Sequence, residues 1–150
     1  MKTILRLVAI SVSILFITGC VSIIPLDNID DHTIVQELSE QQVKEAVHTG
    51  IGAAGWTVEN EAAGKILATY TVRVHTIAVN IRYTEKNYSI NYAYSINMKV
   101  HCTDKHQGEI FLTNWPEVTC DAARPAHIHS AYNEWVENLN SEINTALSSN

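Results

Sequence analysis

KILATYTVRVHTIAVNIRYTEKNYSINYAYSINM, residues 65–98, decides the fold. Ile66, Ala68, Tyr70, Val72 and Val74 alternate with Leu67, Thr69, Thr71, Arg73 and His75. Ile77, Val79, Ile81 and Tyr83 alternate with Ala78, Asn80, Arg82 and Thr84, and Glu85-Lys86-Asn87 follows as a turn. Tyr88, Ile90, Tyr92, Tyr94, Ile96 and Met98 are expected to share one face of the last strand, with Ser89, Asn91, Ala93, Ser95 and Asn97 on the other. A period of two with short polar turns is the pattern of an antiparallel sheet, one face on a core and one in water. Upstream, Trp56, Val58 and Asn60 alternate in the same way, and Glu61-Ala62-Ala63-Gly64 turns the chain. These segments predict a four-stranded meander.

On either side the period lengthens to 3.6. Ser39 and Gln42 have the spacing of a capping box. Val43, Ala46, Val47, Gly50, Ile51 and Ala54 then make one apolar stripe, and Gly55 is placed to end the helix in the left-handed region. Gly50 and Gly52 weaken this helix and are expected to serve close packing, whereas His48 is expected to face solvent. Near the C-terminus Ile128, Tyr132, Trp135, Val136, Leu139, Ile143, Ala146 and Leu147 form a second stripe, with Ser130 as its cap. Two one-sided helices and a one-sided sheet are buried most economically as an α+β two-layer sandwich, in the order α-β-β-β-β-α, with both helices on one face.

The N-terminus reads MKTILRLVAISVSILFITGC. Lys2 and Arg6 give a positive start, and Leu7 to Ile17 is apolar but for Ser11 and Ser13. That run is too short to span a bilayer and fits a secretory signal. Ile17-Thr18-Gly19-Cys20 resembles the bacterial lipobox. The resemblance implies a thioether-linked diacylglyceryl group on Cys20, removal of residues 1–19, and acylation of the new N-terminus, palmitate being a typical chain. Val21 follows the cysteine; Asp there would favour retention in the inner membrane, so the resemblance implies the outer membrane. Residues 20–38, with Pro25 and the acidic Asp27, Asp30 and Asp31, are expected to be a tether of about 24 Å if flexible, with Thr33–Gln36 as a candidate edge strand. Residues 39–150 would then be a single domain.

A chain of 150 residues has room for one domain. Its formal net charge of −6 becomes −8 once Lys2 and Arg6 leave with the signal. Nucleic-acid binding needs a basic footprint, so nucleic acid is excluded as a partner. The three cysteines divide into Cys20 for lipid and Cys102 with Cys120 as a pair. An oxidising periplasm would join that pair, closing the interrupted segment 99–127. Ile110-Phe111-Leu112 and Trp115 are the apolar content of that segment, expected as a hairpin strand or small subdomain.

The same segment carries a competing metal reading, with His101, His106, His127 and His129 as candidate ligands and Cys102, Asp104, Cys120 and Asp121 nearby. The spacing matches no zinc-finger pattern, and the cysteines lack a CxxC. His129 and His75 have a simpler reading as structural hydrogen-bonding residues. There is no G-x-S-x-G elbow, no H-E-x-x-H and no Gly-rich phosphate loop, so no catalytic residue and no cofactor beyond the covalent lipid is assigned.

Val43, Ala46, Gly55-Trp56, Arg73, His75, Ala78, Ile81, Tyr83, Tyr88-Ser89-Ile90, Tyr92, Ile128-His129, Tyr132-Asn133, Trp135 and Asn138-Leu139 together resemble a group of small bacterial lipoproteins of unassigned activity. The resemblance covers most of residues 39–98 and 127–148 and departs at 99–127. It implies a non-catalytic outer-membrane lipoprotein facing the periplasm, anchored by its acyl chains and meeting envelope proteins in an integrity or assembly role. An exported metal- or small-ligand-binding module is the second reading, and an envelope enzyme or enzyme inhibitor the third.

Overall fold

A computed structural model describes residues 22–104, 108, 109, 120 and 125–150. Cys20 and the Ile110–Leu112 and Trp115 positions lie outside the described residues, as does His106. The elements run β1 (Ile23–Pro25), β2 (Ile29–Thr33), α1 (Glu40–Ala53), β3 (Thr57–Ala62), β4 (Lys65–Val72), β5 (His75–Tyr83), β6 (Asn87–Ile96), β7 (His101–Asp104), β8 (Gly108–Glu109), β9 (Ala126–His129) and α2 (Ala131–Ser148). The class is α+β, as the two periodicities require.

The single four-stranded sheet is corrected. The expected meander is present as β3 to β6, but β2 extends it beside β6 into a five-stranded sheet of order β2-β6-β5-β4-β3. A second antiparallel sheet has the order β1-β9-β7-β8. The tether is corrected with it. From Ile23 onward, the stretch expected to hang free is built into both sheets. Such short strands carry too few residues for a period to register; backbone pairing holds them, which side-chain patterning does not report. The edge strand falls at Ile29–Thr33 rather than Thr33–Gln36.

α1 begins where its cap was read. The Ser39 side chain accepts from the Gln42 N–H, and the Gln42 side chain accepts from the Ser39 N–H at 3.0 Å. Gly55 takes φ +77° just beyond the helix. Val43, Ala46, Val47, Gly50 and Ile51 are buried. They meet Tyr132, Val136, Leu139, Ile143, Ala146 and Leu147 of α2, and both stripes join Ile66, Ala68, Ile77, Val79, Ile81 and Tyr83 of the sheet in one core. Ile128 belongs to β9, not to the helix stripe.

The two helix glycines differ. A Cβ on Gly50 would stand 2.6 Å from the Ile143 backbone, so the missing side chain sets the approach of the helices. Nothing lies within 4 Å of a Cβ on Gly52, which is exposed, so the packing role expected of it is not found. His48 is not merely solvent-facing: its Nε2 lies 3.0 Å from Glu61 Oε2, and Lys44 Nζ lies 2.5 Å from Glu61 Oε1. The Lys44 bond holds the Glu61 carboxyl below its ordinary range and raises the Lys44 ammonium in turn.

One backbone irregularity re-sorts the last strand. Ala78 pairs with Tyr94 but Val79 with Tyr92, so Ala93 is an extra residue on β6. A bulge reverses the alternation beyond it. Tyr88, Ile90 and Tyr92 face the core with Tyr83, Ile81 and Val79, whereas Tyr94 and Ile96 emerge on the outer face with Ala78 and Thr76. Ser95 turns inward, its hydroxyl 3.0 Å from that of Tyr92. The single-face assignment of Tyr88 through Met98 is therefore corrected at Ala93.

Candidate functional site

The most informative region is where the chain enters the fold, two residues beyond Cys20. The Ser22 carbonyl accepts from the Ser130 N–H at 3.0 Å, and β1 pairs with β9 as Ile23–His129, Ile24–Ile128 and Pro25–His127. Leu26 N–H donates to the Ala126 carbonyl at 2.9 Å. Asn133 of α2 fixes the next turn by donating to the Pro25 carbonyl at 3.1 Å and to Asp27 Oδ2 at 3.0 Å. The entry segment is thus anchored by main-chain and side-chain bonds from its first described residue.

His129 joins this entry point to the end of the larger sheet. Its N–H donates to the Met98 carbonyl at 3.1 Å, and its Nδ1 accepts from the Ala131 N–H at 3.1 Å. The imidazole therefore caps α2, with its ring proton on Nε2. Ser130, expected as the cap, has helical angles and makes no side-chain capping bond. The His75 ring lies 6.2 Å from that of His129, and His75 Nδ1 donates to the Asn97 carbonyl at 2.9 Å. Asn97 Nδ2 in turn donates to the Val74 carbonyl at 2.7 Å. Both histidines are structural hydrogen-bonding residues, as read from the sequence.

Around this junction Arg73, Val74, Ile96, Asn97 and Lys99 are exposed. Val74 is 66% and Ile96 53% accessible, two of the three exposed large hydrophobics among the described residues. Arg73, Asn97 and Lys99 take left-handed φ angles of +57°, +59° and +52°, uncommon for residues with a Cβ. Sequence reading missed this patch because alternation put Val74 and Ile96 on core faces; the turn and the Ala93 bulge bring them out.

The candidate metal ligands are only partly gathered. His101 faces His127 across β7 and β9, their rings 5.8 Å apart and inclined by 27°. His101 Nδ1 donates to the Lys99 carbonyl and His127 Nδ1 to the Pro125 carbonyl, each at 3.1 Å. His129 has spent its Nδ1 on the α2 cap. Among the described residues no three His, Cys, Asp or Glu side chains converge to hold a metal. Cys102 and Cys120 are joined in a disulfide with Cα atoms 5.5 Å apart, within the span a disulfide needs.

Two other surfaces carry polar chemistry. On the outer face of the larger sheet, Tyr94 donates to Glu59 Oε2 at 2.6 Å, and the adjacent carboxylate pushes its phenol up to about 12. Nearby, Asn91 donates to Asp30 at 2.6 Å. Along α2, an open groove of about 490 Å³ is lined by Glu137 among amides and hydroxyls. Asn140 at its base accepts from the Tyr88 hydroxyl at 2.6 Å.

Compared with protein-family models, curated proteins and solved structures, the chain matches none.

Proposed function

We propose that this chain is a lipid-anchored, non-catalytic lipoprotein of the bacterial outer membrane, its domain facing the periplasm and acting through protein contacts in envelope integrity or assembly. The observation that carries the reading is the Ile17-Thr18-Gly19-Cys20 lipobox behind a charged start and a short apolar run. The covalent lipid on Cys20 supplies the anchor; several acyl chains at about 0.8 kcal/mol per buried CH2 hold a protein stably. The Cys102–Cys120 bridge supports an oxidising compartment. The hydrogen-bonding outer face and the polar α2 groove offer contact surfaces.

Metabolic labelling with an alkyne fatty acid tests the reading. The full chain is expected to take the label and Cys20→Ala to lose it. Equal labelling of the two would overturn the assignment.

A further inference from the structure

We infer that the Arg73–Val74 turn, with Ile96, Asn97 and Lys99, is a membrane-contact surface that seats the domain directly against the headgroups of the bilayer holding its lipid. The inference rests on the proposed lipidation of Cys20. Cys20 and Ser22 are two residues apart, so the chain between them reaches at most about 7 Å. Ser22 is bonded into the fold through the Ser130 N–H. A lipid on Cys20 therefore has no tether to lift the domain away.

The side held against the membrane follows from a chain of contacts. Ser22 meets Ser130; His129, the residue before, donates to the Met98 carbonyl; Asn97, the residue before that, binds the Val74 carbonyl. The entry point and the exposed patch thus belong to one end of the molecule. The chemistry of the patch suits a headgroup layer. Val74 and Ile96 offer exposed apolar side chains, and Arg73 and Lys99 place two cations beside them. Long basic side chains keep their charge among headgroups while their stems lie along apolar surface. A basic residue close to an anionic surface is drawn toward it. The net charge of the processed chain would be −8, so this local pair of cations runs against the overall sign. The β5–β6 turn with Lys86 lies at the opposite end of β5, about 30 Å away at 3.3 Å per strand residue.

The test uses the full chain purified with its lipid and reconstituted in phosphatidylethanolamine vesicles containing one quarter phosphatidylglycerol. Val74→Cys, Ile96→Cys and Lys86→Cys are labelled one at a time with an environment-sensitive fluorophore, then challenged with spin-labelled lipid. Labels at 74 and 96 are expected to shift to the blue and be quenched several-fold more than the label at 86. Arg73→Glu with Lys99→Glu, added to the 74 label, is expected to reduce that quenching at least twofold. Water-like emission at all three positions overturns the proposal. Blue-shifted labels at 74 and 96 that lipid does not quench mean a second copy covers the patch, and also overturn it. The fatty-acid label on Cys20 is read on the same preparations. Its absence defeats the lipoprotein reading and the proposal together, whereas its presence with water-exposed labels defeats the proposal alone.

Discussion

The two faces of the larger sheet obey different rules. The inner face buries Ile66, Ala68, Ile77, Val79, Ile81, Tyr83, Tyr88 and Ile90 under both helices. The outer face carries Thr69, Tyr94, Ile96 and Asn91, all exposed or half-buried, around the small buried Ala78. On the inner face shape complementarity dominates, so one atom too many is costly. On the outer face hydrogen bonds compete with water, so single contacts contribute little. Structure is thus concentrated on one side and the surface chemistry on the other.

The largest effect should come from the helix seam over the inner face. Gly50→Ala puts a methyl against the Ile143 backbone, and overpacking of this kind costs about 3 kcal/mol. Gly52→Ala, two residues away and in open space, should instead stabilise by about 0.5–1 kcal/mol through helix propensity. Urea unfolding of the two variants separates seam from surface. A gain in Gly50→Ala equal to that in Gly52→Ala would show that Gly50 is not an interface residue.

Two tyrosines refine the picture of the inner face. Both are almost fully buried. Tyr88 donates to Asn140, whereas the Tyr132 hydroxyl has no hydrogen-bond partner among the described residues. Removing a made bond and removing an unmade one should have opposite signs. Tyr88→Phe is expected to lose about 1–1.5 kcal/mol, and Tyr132→Phe to gain about 1 kcal/mol, by the same unfolding measurement. A loss of stability in Tyr132→Phe would reveal a partner for its hydroxyl.

The smallest effect belongs to the outer face. Tyr94→Phe should change stability by no more than about 0.5 kcal/mol at neutral pH. Its signature lies in alkali. The folded phenol, at about 12, is raised above its ordinary value of 10 by the Glu59 bond. Stability from that bond is complete below pH 10 and is lost as pH rises through about 12. The fall in unfolding midpoint across that window should be shallower in Tyr94→Phe. The remaining slope belongs to Tyr83, Tyr88, Tyr92 and Tyr132, whose phenols burial also raises, and to Lys44, which its bond to Glu61 raises. An unchanged slope would remove Tyr94 from the titration.

The same contrast governs what the sequence could reveal. The inner face and both helix stripes were legible because burial imposes a period, and Ser39, Gln42 and Gly55 were legible because caps need particular side chains. The Ala93 bulge left no mark: Tyr88 to Met98 reads as unbroken alternation although the chain reverses sides midway. β1 and β2 were missed because residues 22–38 look like an acidic linker, and backbone pairing is blind to side-chain type. Cys102 and Cys120 were legible as a pair from compartment and number. The exposed Val74 and Ile96 were not, since turn conformation and bulge position decide their exposure.

The intact mass of the chain extracted from cell membranes tests the central claim most directly. A lipoprotein anchored at Cys20 requires a chain that begins at residue 20 and carries the added mass of a diacylglyceryl group and a further acyl chain. An unmodified chain of 16.7 kDa, or one cut elsewhere with Cys20 free, would contradict it.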